Sequence, residues 1–182
     1  MYLPFYTPRK PPGVAIIAAM SGKSYTLPAL RERLAALRAG GGRLVLTNGC
    51  FDLLHVGHVR YLQAARALGD LLVVGLNSDA SVRAIKGPER PLVPQDERAE
   101  VLAALACVDG VVVFDEPTAE ALVAALRPDV YVKGSDYTEA TLPEARIVQA
   151  YGGAVHLMPV IPGVSTTALV ERIRRSRADA RG

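Results

Sequence analysis

Short apolar runs alternate along the chain with longer stretches in which apolar residues recur every three or four positions. Leu30, Leu34 and Leu37 fall at helical spacing within 27–37, and Gly40, Gly41 and Gly42 then stop the helix. The run Arg43-Leu44-Val45-Leu46-Thr47 that follows is short, apolar and β-branched, as suits a strand buried on both faces. The same alternation predicts helices over 57–68, 95–106, 118–126, 143–151 and 166–175, and strands over 71–76, 111–114, 130–133 and 155–158. Between the second strand and the 95–106 helix the chain reads as a loop punctuated by Gly87, Pro88 and Pro91. Strands and helices alternating at this interval predict an α/β fold, a single Rossmann-like, doubly wound parallel sheet with helices on both faces. Ligands of such sheets bind beyond the carboxyl ends of the strands, where loops lead into helix N-termini. Polar and glycine-rich residues gather in those loops, at 47–58, 77–79, 133–137 and 162–167.

Composition narrows the class. With 182 residues, half of them hydrophobic, 21% charged and a mean hydropathy of +0.20, the chain is globular, which excludes wholesale disorder and fibrous repeats. One domain is expected over 25–176, after a mobile leader over 1–24 that holds four of the 13 prolines and offers Met20 as an alternative start. A basic tail is expected over 177–182. The apolar run at 14–20 is far short of the roughly 20 residues a membrane span needs, and Pro11, Pro12 and a poor cleavage site at Ser21-Gly22-Lys23 argue against a secretory signal. Cys50 and Cys107 form no Cys-x-x-Cys pair, so a reducing cytoplasm is the expected home.

The net charge of +3 sits at the two ends: residues 24–170 carry 13 basic and 16 acidic side chains. The body therefore presents no basic nucleic-acid face, and neither nucleic acid nor membrane is expected as a partner. Arg174, Arg175, Arg177 and Arg181 read as a solvated helix end near the negative pole of the dipole.

The densest chemistry lies in Thr47-Asn48-Gly49-Cys50-Phe51-Asp52-Leu53-Leu54-His55-Val56-Gly57-His58, which runs from a predicted strand into a predicted helix. Two of the three histidines stand here three apart, so both imidazoles can face one ligand at a helix N-terminus while Gly57 admits phosphate oxygens to the backbone. Taken alone, the pair also suits a helix-entry turn or half of a metal site. Ser165, Thr166 and Thr167 precede the last helix, where hydroxyls and N–H groups either cap it or meet phosphate. Lys86, beside Gly87 and Pro88, reads either as a loop cation that closes over phosphate or as a surface lysine. Arg90 and Arg98 are read as phosphate contacts or as partners in salt bridges, Asp79 as a pocket residue or a helix cap, and His156 as structural.

Gly49-x-Phe51-Asp52-x-x-His55-x-Gly57-His58 resembles the signature of the cytidylyltransferase-like nucleotidyltransferase superfamily, whose His-x-Gly-His element is shared with class I aminoacyl-tRNA synthetases. Over most of 43–173 the finer resemblance is to the adenylyltransferases of ADP-heptose synthesis. Residues 47–52, Asn77-Ser78-Asp79-Ala80-Ser81-Val82, Lys86-Gly87-Pro88, Arg90-Pro91, Lys133-Gly134-Ser135-Asp136-Tyr137 and Ser165-Thr166-Thr167 carry it. Ser135 in place of an expected glycine is one departure, and the leader before Ser21 has no family counterpart.

The resemblance implies transfer of AMP from ATP to D-glycero-β-D-manno-heptose 1-phosphate, giving ADP-heptose and pyrophosphate on a route to lipopolysaccharide or another surface glycan. It implies His55, His58 and Lys86 as the catalytic set, with no nucleophilic side chain. It implies a nucleotide site of Asn48, Gly49, Phe51, Asp52, Gly57, Lys133, Gly134, Asp136, Ser165, Thr166 and Thr167, in which Asp52 orients its loop or neighbouring cations rather than acting as a base, and a weaker substrate set of Asn77, Asp79, Arg90 and Arg98. Mg2+ is expected on the triphosphate rather than in a protein cage, so no metal ligand is assigned. A separate upstream sugar kinase is implied, because the chain has no room for one, and a homodimer suits the apolar faces of a domain of this size. The rival readings are a cytidylyltransferase acting on glycerol 3-phosphate or a related phospho-alcohol, and a nucleotide-binding module without turnover.

Overall fold

The computed structural model describes residues 22–135, 138, 140–159, 163 and 165–179, the last three as backbone only. Its elements, in chain order, are α1 (Leu27–Ala39), β1 (Leu44–Gly49), α2 (Val56–Arg66), β2 (Leu71–Asn77), α3 (Asp79–Lys86), α4 (Gln95–Ala104), β3 (Gly110–Phe114), α5 (Glu120–Leu126), β4 (Val130–Gly134), α6 (Pro143–Ala150), β5 (Ala154–Met158) and α7 (Thr166–Asp179). The five strands form one parallel sheet in the order β3-β2-β1-β4-β5. The chain steps from β1 through β2 to β3 on one side, then crosses back to lay β4 and β5 on the other. The strand order therefore reverses between β1 and β4, the place where a doubly wound sheet opens a crevice.

The alternation of β1 explains why a parallel strand reads as unbroken apolar sequence. Leu44 and Leu46 enter one buried cluster with Leu30, Leu34, Leu122 and Tyr131, while Val45 enters the opposite one with Leu62, Leu72, Leu102 and Val132. Both faces of the sheet are thus cores, and function is left to its ends. At the far edge, residues 23–25 run along β3: the Tyr25 N–H donates to the Val111 carbonyl at 2.9 Å and the Val111 N–H to the Lys23 carbonyl at 2.8 Å. Residues 1–21 of the expected leader, and 180–182 of the expected tail, lie outside the described residues; α7 itself runs on to Asp179.

The element that sequence reasoning did not anticipate is α3. Its apolar stripe is too short to show a period, since only Ser81 and Val82 are buried and Ile85 is exposed. Local chemistry forms the helix instead. Ser78 caps it by accepting the Ser81 N–H at 3.2 Å, Asp79 stands in the first turn and Arg83 and Lys86 in the last, and Gly87 at φ 94° ends it. Ser78, not Asp79, is thus the cap, and Lys86 ends a helix rather than riding in a loop. No helix among the described residues is long and apolar enough to cross a membrane.

Candidate active site

Pairing between β1 and β4 ends at Thr47 opposite Val132. Tyr61 of α2 holds the parting strands at that point: its hydroxyl donates to the Val132 carbonyl at 2.9 Å and lies 2.7 Å from the Thr47 hydroxyl. Beyond it, Asn48 is held from the β4 side, its Oδ1 accepting from the Tyr131 hydroxyl at 2.6 Å and from Lys133 Nζ at 3.1 Å. An open cleft of about 510 Å³ begins here.

The cleft brings together Asn48, Gly49, Phe51, Asp52, His55, Gly57, His58, Lys86, Lys133, Gly134, Ser165, Thr166 and Thr167, as the sequence led us to expect. Asp136 lies outside the described residues. Sequence reasoning did not single out Cys50, Arg60, Tyr61, Ala64, Met158 and Pro159, which also line it. For α2 the signal was present: Gly57, Arg60 or Tyr61, and Ala64 repeat at three and four residues, so a helix entering a site at its N-terminus presents all of them on one side.

The loop from β1 to α2 shapes the histidine pair. Phe51 adopts φ 44°, a left-handed conformation, and turns its ring back over Gly49, where a β-carbon would meet it at 3.1 Å. The same ring stands edge-on to His58, at 5.2 Å between centroids. His55 is the extended N-cap of α2, its Nδ1 accepting the His58 N–H at 3.3 Å. Burial, followed by the neighbouring His55 and Lys86, pushes His58 down to about 4, and burial also lowers His55. Both rings are therefore neutral at pH 7. Among the described residues the buried His58 Nδ1 has no hydrogen-bond partner, and the Leu53 backbone beside the ring opposes part of the shift. At the other wall, Ser165 caps α7 through the Ala168 N–H at 3.1 Å, and the Thr166 hydroxyl donates to the Leu53 carbonyl at 3.4 Å, tying α7 to the histidine loop.

Asn77, Asp79, Arg90 and Arg98 do not line the cleft but brace the residues that do. Arg98 is 2% exposed and donates to the carbonyls of Val93, Cys50 and Asn77 and to Asp79 Oδ1 at 2.7 Å. Asn77 donates to the Ser81 hydroxyl at 2.9 Å. Arg90 pairs with Asp52 at 2.7 Å, and the other Asp52 oxygen accepts the N–H groups of Leu92 and Val93 at 2.7 and 3.1 Å. Burial opposes the charge on Asp52, but Arg90 and the two N–H groups overcome it and hold the carboxyl below its ordinary range. Both oxygens of that carboxylate are thus engaged by the 90–93 segment. Among the described residues no group of three or more His, Cys, Asp or Glu could hold a metal ion.

A family model described as cytidylyltransferase-like matches residues 46–172, from β1 into α7. The chain belongs to this family. The matched residues include the β1–α2 loop and the paired histidines at the start of α2. The bifunctional protein HldE of Syntrophotalea carbinolica is 59% identical over 144 residues, covering 79% of this chain and 29% of that protein. HldE of Geotalea uraniireducens is 57% identical over 152 residues, 84% of this chain and 31% of that one. The chain thus spans about three-tenths of the length of these relatives. Among solved structures, a lipopolysaccharide core biosynthesis protein from Thermoplasma volcanium superposes with a TM-score of 0.56 at 29% identity, over 66% of this chain and 98% of that one.

Proposed function

We propose that this chain is a sugar-phosphate adenylyltransferase, transferring AMP from ATP to D-glycero-β-D-manno-heptose 1-phosphate. The observation that carries nucleotidyl transfer is the stacked, neutral histidine pair at the N-terminus of α2, facing Lys86 and the Ser165–Thr167 turn across a cleft at the sheet's switch point. The choice of ATP and heptose phosphate is supported by the stretches resembling the adenylyltransferases of ADP-heptose synthesis, and by likeness to the HldE proteins and to a lipopolysaccharide core protein.

An oxygen of the sugar phosphate attacks the α-phosphorus of ATP; the new O–P bond forms as the bond to the β-phosphate oxygen breaks, and pyrophosphate leaves. The attacking oxygen is already ionised near neutral pH, so neither a general base nor a covalent nucleophile is required, and the protein's work is alignment and charge stabilisation. His55 and His58 hydrogen-bond the triphosphate, Lys86 neutralises charge at the α-phosphate, and the α2 and α7 N-termini receive the remaining oxygens. Lys133, Gly134 and Asp136 border the nucleotide. Magnesium arrives with ATP as part of the substrate.

In this reading residues 25–176 are the catalytic domain, a sugar kinase activity supplies the phosphate, and the work is done in the cytoplasm, where ATP is available. Size-exclusion chromatography with light scattering tests the expected homodimer.

Pyrophosphate release with magnesium, crossing ATP or CTP against heptose 1-phosphate or glycerol 3-phosphate, tests the function. Release with ATP and heptose 1-phosphate, lost in His58→Ala, is expected. Turnover with CTP and glycerol 3-phosphate instead moves the chain to the rival cytidylyltransferase chemistry. Silence in every combination from folded protein leaves a nucleotide-binding module.

A further inference from the structure

The cleft has two chemistries. Around the N-terminus of α2 stand His55, His58, Lys86 and the hydroxyls of 165–167, a setting for phosphate. Further along α2 the lining turns apolar: Tyr61 and Ala64 lie on one side, and Met158 and Pro159, at the end of β5, complete it. The hydroxyl of Tyr61 is occupied by Thr47 and Val132, so its ring is fixed in place as a wall. A nucleotide set in such a cleft puts its triphosphate at the positive end of the helix and leaves its flat, uncharged heterocycle for the apolar part.

This stretch of α2 also carries a charged side chain into the lining. Arg60 is exposed, lines the cleft from α2 between Gly57 and Ala64, and makes no hydrogen bond or ion pair among the described residues. Lys133, by contrast, is held by Asn48, and Arg90 and Arg98 are spent on Asp52 and Asp79. Arg60 also stands a full turn past Gly57, inside the helix and away from the amide groups that attract phosphate. Its guanidinium is planar and weakly hydrated, a surface that stacks on an aromatic face as an ammonium cannot.

Resting on the nucleotidyl-transfer reading above, we propose that Arg60 is a specificity-determining residue: it closes the open side of the apolar slot by laying its guanidinium on the nucleobase, and favours a purine, with its larger π-face, over a pyrimidine.

The test is calorimetric titration of ATP, CTP and inorganic tripolyphosphate into wild type, Arg60→Ala and Arg60→Lys, each checked for folding by thermal melting. The expected result is that Arg60→Ala weakens ATP by about tenfold and CTP less, and leaves tripolyphosphate unchanged. Arg60→Lys does not restore ATP. Parallel losses for ATP and tripolyphosphate, both recovered by lysine, overturn the proposal by making Arg60 a point charge on phosphate. Unchanged ATP binding in Arg60→Ala overturns it outright, and equal losses for ATP and CTP overturn the purine preference. These titrations need no sugar phosphate. An enzyme silent toward heptose 1-phosphate that still shows the expected pattern removes the proposed substrate and leaves the role of Arg60 standing.

Discussion

The imidazole of His55 lies on that of His58 with 3.8 Å between ring centroids and 15° between planes. Two imidazolium rings repel at such a distance, so the stack belongs to the neutral state, in keeping with the depressed titration of both residues.

A consequence for stability follows from the sign of that shift. Histidine in the unfolded chain titrates near 6.5, and His58 in the fold near 4. Between those values the unfolded state binds more protons, so the stabilisation is complete above about 6.5 and is lost as pH falls toward 4, with His55 contributing in the same direction. Denaturant midpoints measured from neutral pH down to about 4 should fall across this window in the ligand-free protein. In His58→Gln the fall should be shallower, and an equal slope in the variant contradicts the assignment.

His55 has two duties that substitution separates. Its Nδ1 caps α2 through the His58 N–H, and its ring stands in the cleft. His55→Ala should cost about 1 kcal/mol of stability as a lost cap, whereas His55→Asn keeps a capping side chain and most of that stability. Both should lose on the order of a hundredfold in turnover, the scale of a deleted transition-state donor. Thermal melts alongside pyrophosphate release distinguish the two effects; a recovery of activity with asparagine would make the residue a cap alone.

Lys86 acts on His58 through space, its positive charge adding to the burial that keeps the ring deprotonated. Lys86→Met should therefore raise the His58 titration point, readable by NMR of the ring protons. The side chain is exposed at the end of α3, so stability should change by less than about 0.5 kcal/mol, while turnover falls by on the order of a hundredfold. A titration point that does not move would place the ammonium group too far from His58 to share a phosphate with it.

Most of this arrangement was legible along the chain because parallel strands buried on both faces, such as β1, read as unbroken apolar runs, and because the signature residues sit contiguously on one loop. What was not legible depends on tertiary contact. α3 has one buried apolar residue, Val82, and is formed by Ser78 and terminal charges, so no hydrophobic period announces it. Arg90 and Arg98 resemble phosphate ligands in sequence; only the fold reveals the carboxylates and carbonyls that claim them. Met158 and Pro159 enter the cleft because β4 and β5 lie on the far side of β1, a consequence of strand order that local pattern does not carry.

Arg98 supports the sharpest structural prediction. It is fully enclosed, and its donors reach four separate segments: the loop after β1 at Cys50, the end of β2 at Asn77, the start of α3 at Asp79 and the turn at Val93. A lysine there carries one nitrogen and cannot span them, so Arg98→Lys leaves buried acceptors unpaired as well as the Asp79 carboxylate weakly matched. The loss should be about 3 kcal/mol, on the scale of a broken buried pair, and should lower Tm by roughly 2–4 °C for each kcal/mol. Asp79→Ala, which leaves the guanidinium buried without its counter-charge, should cost about as much, although Asp79 itself is the more exposed partner. Because Arg98 holds the Cys50 carbonyl, both changes should also loosen the loop that sets His55 and His58, with turnover falling further than nucleotide binding. Melting curves and pyrophosphate release on the same preparations check this. A stable Arg98→Lys protein with lost activity would instead return Arg98 to the substrate, as one of the two readings its sequence position allowed.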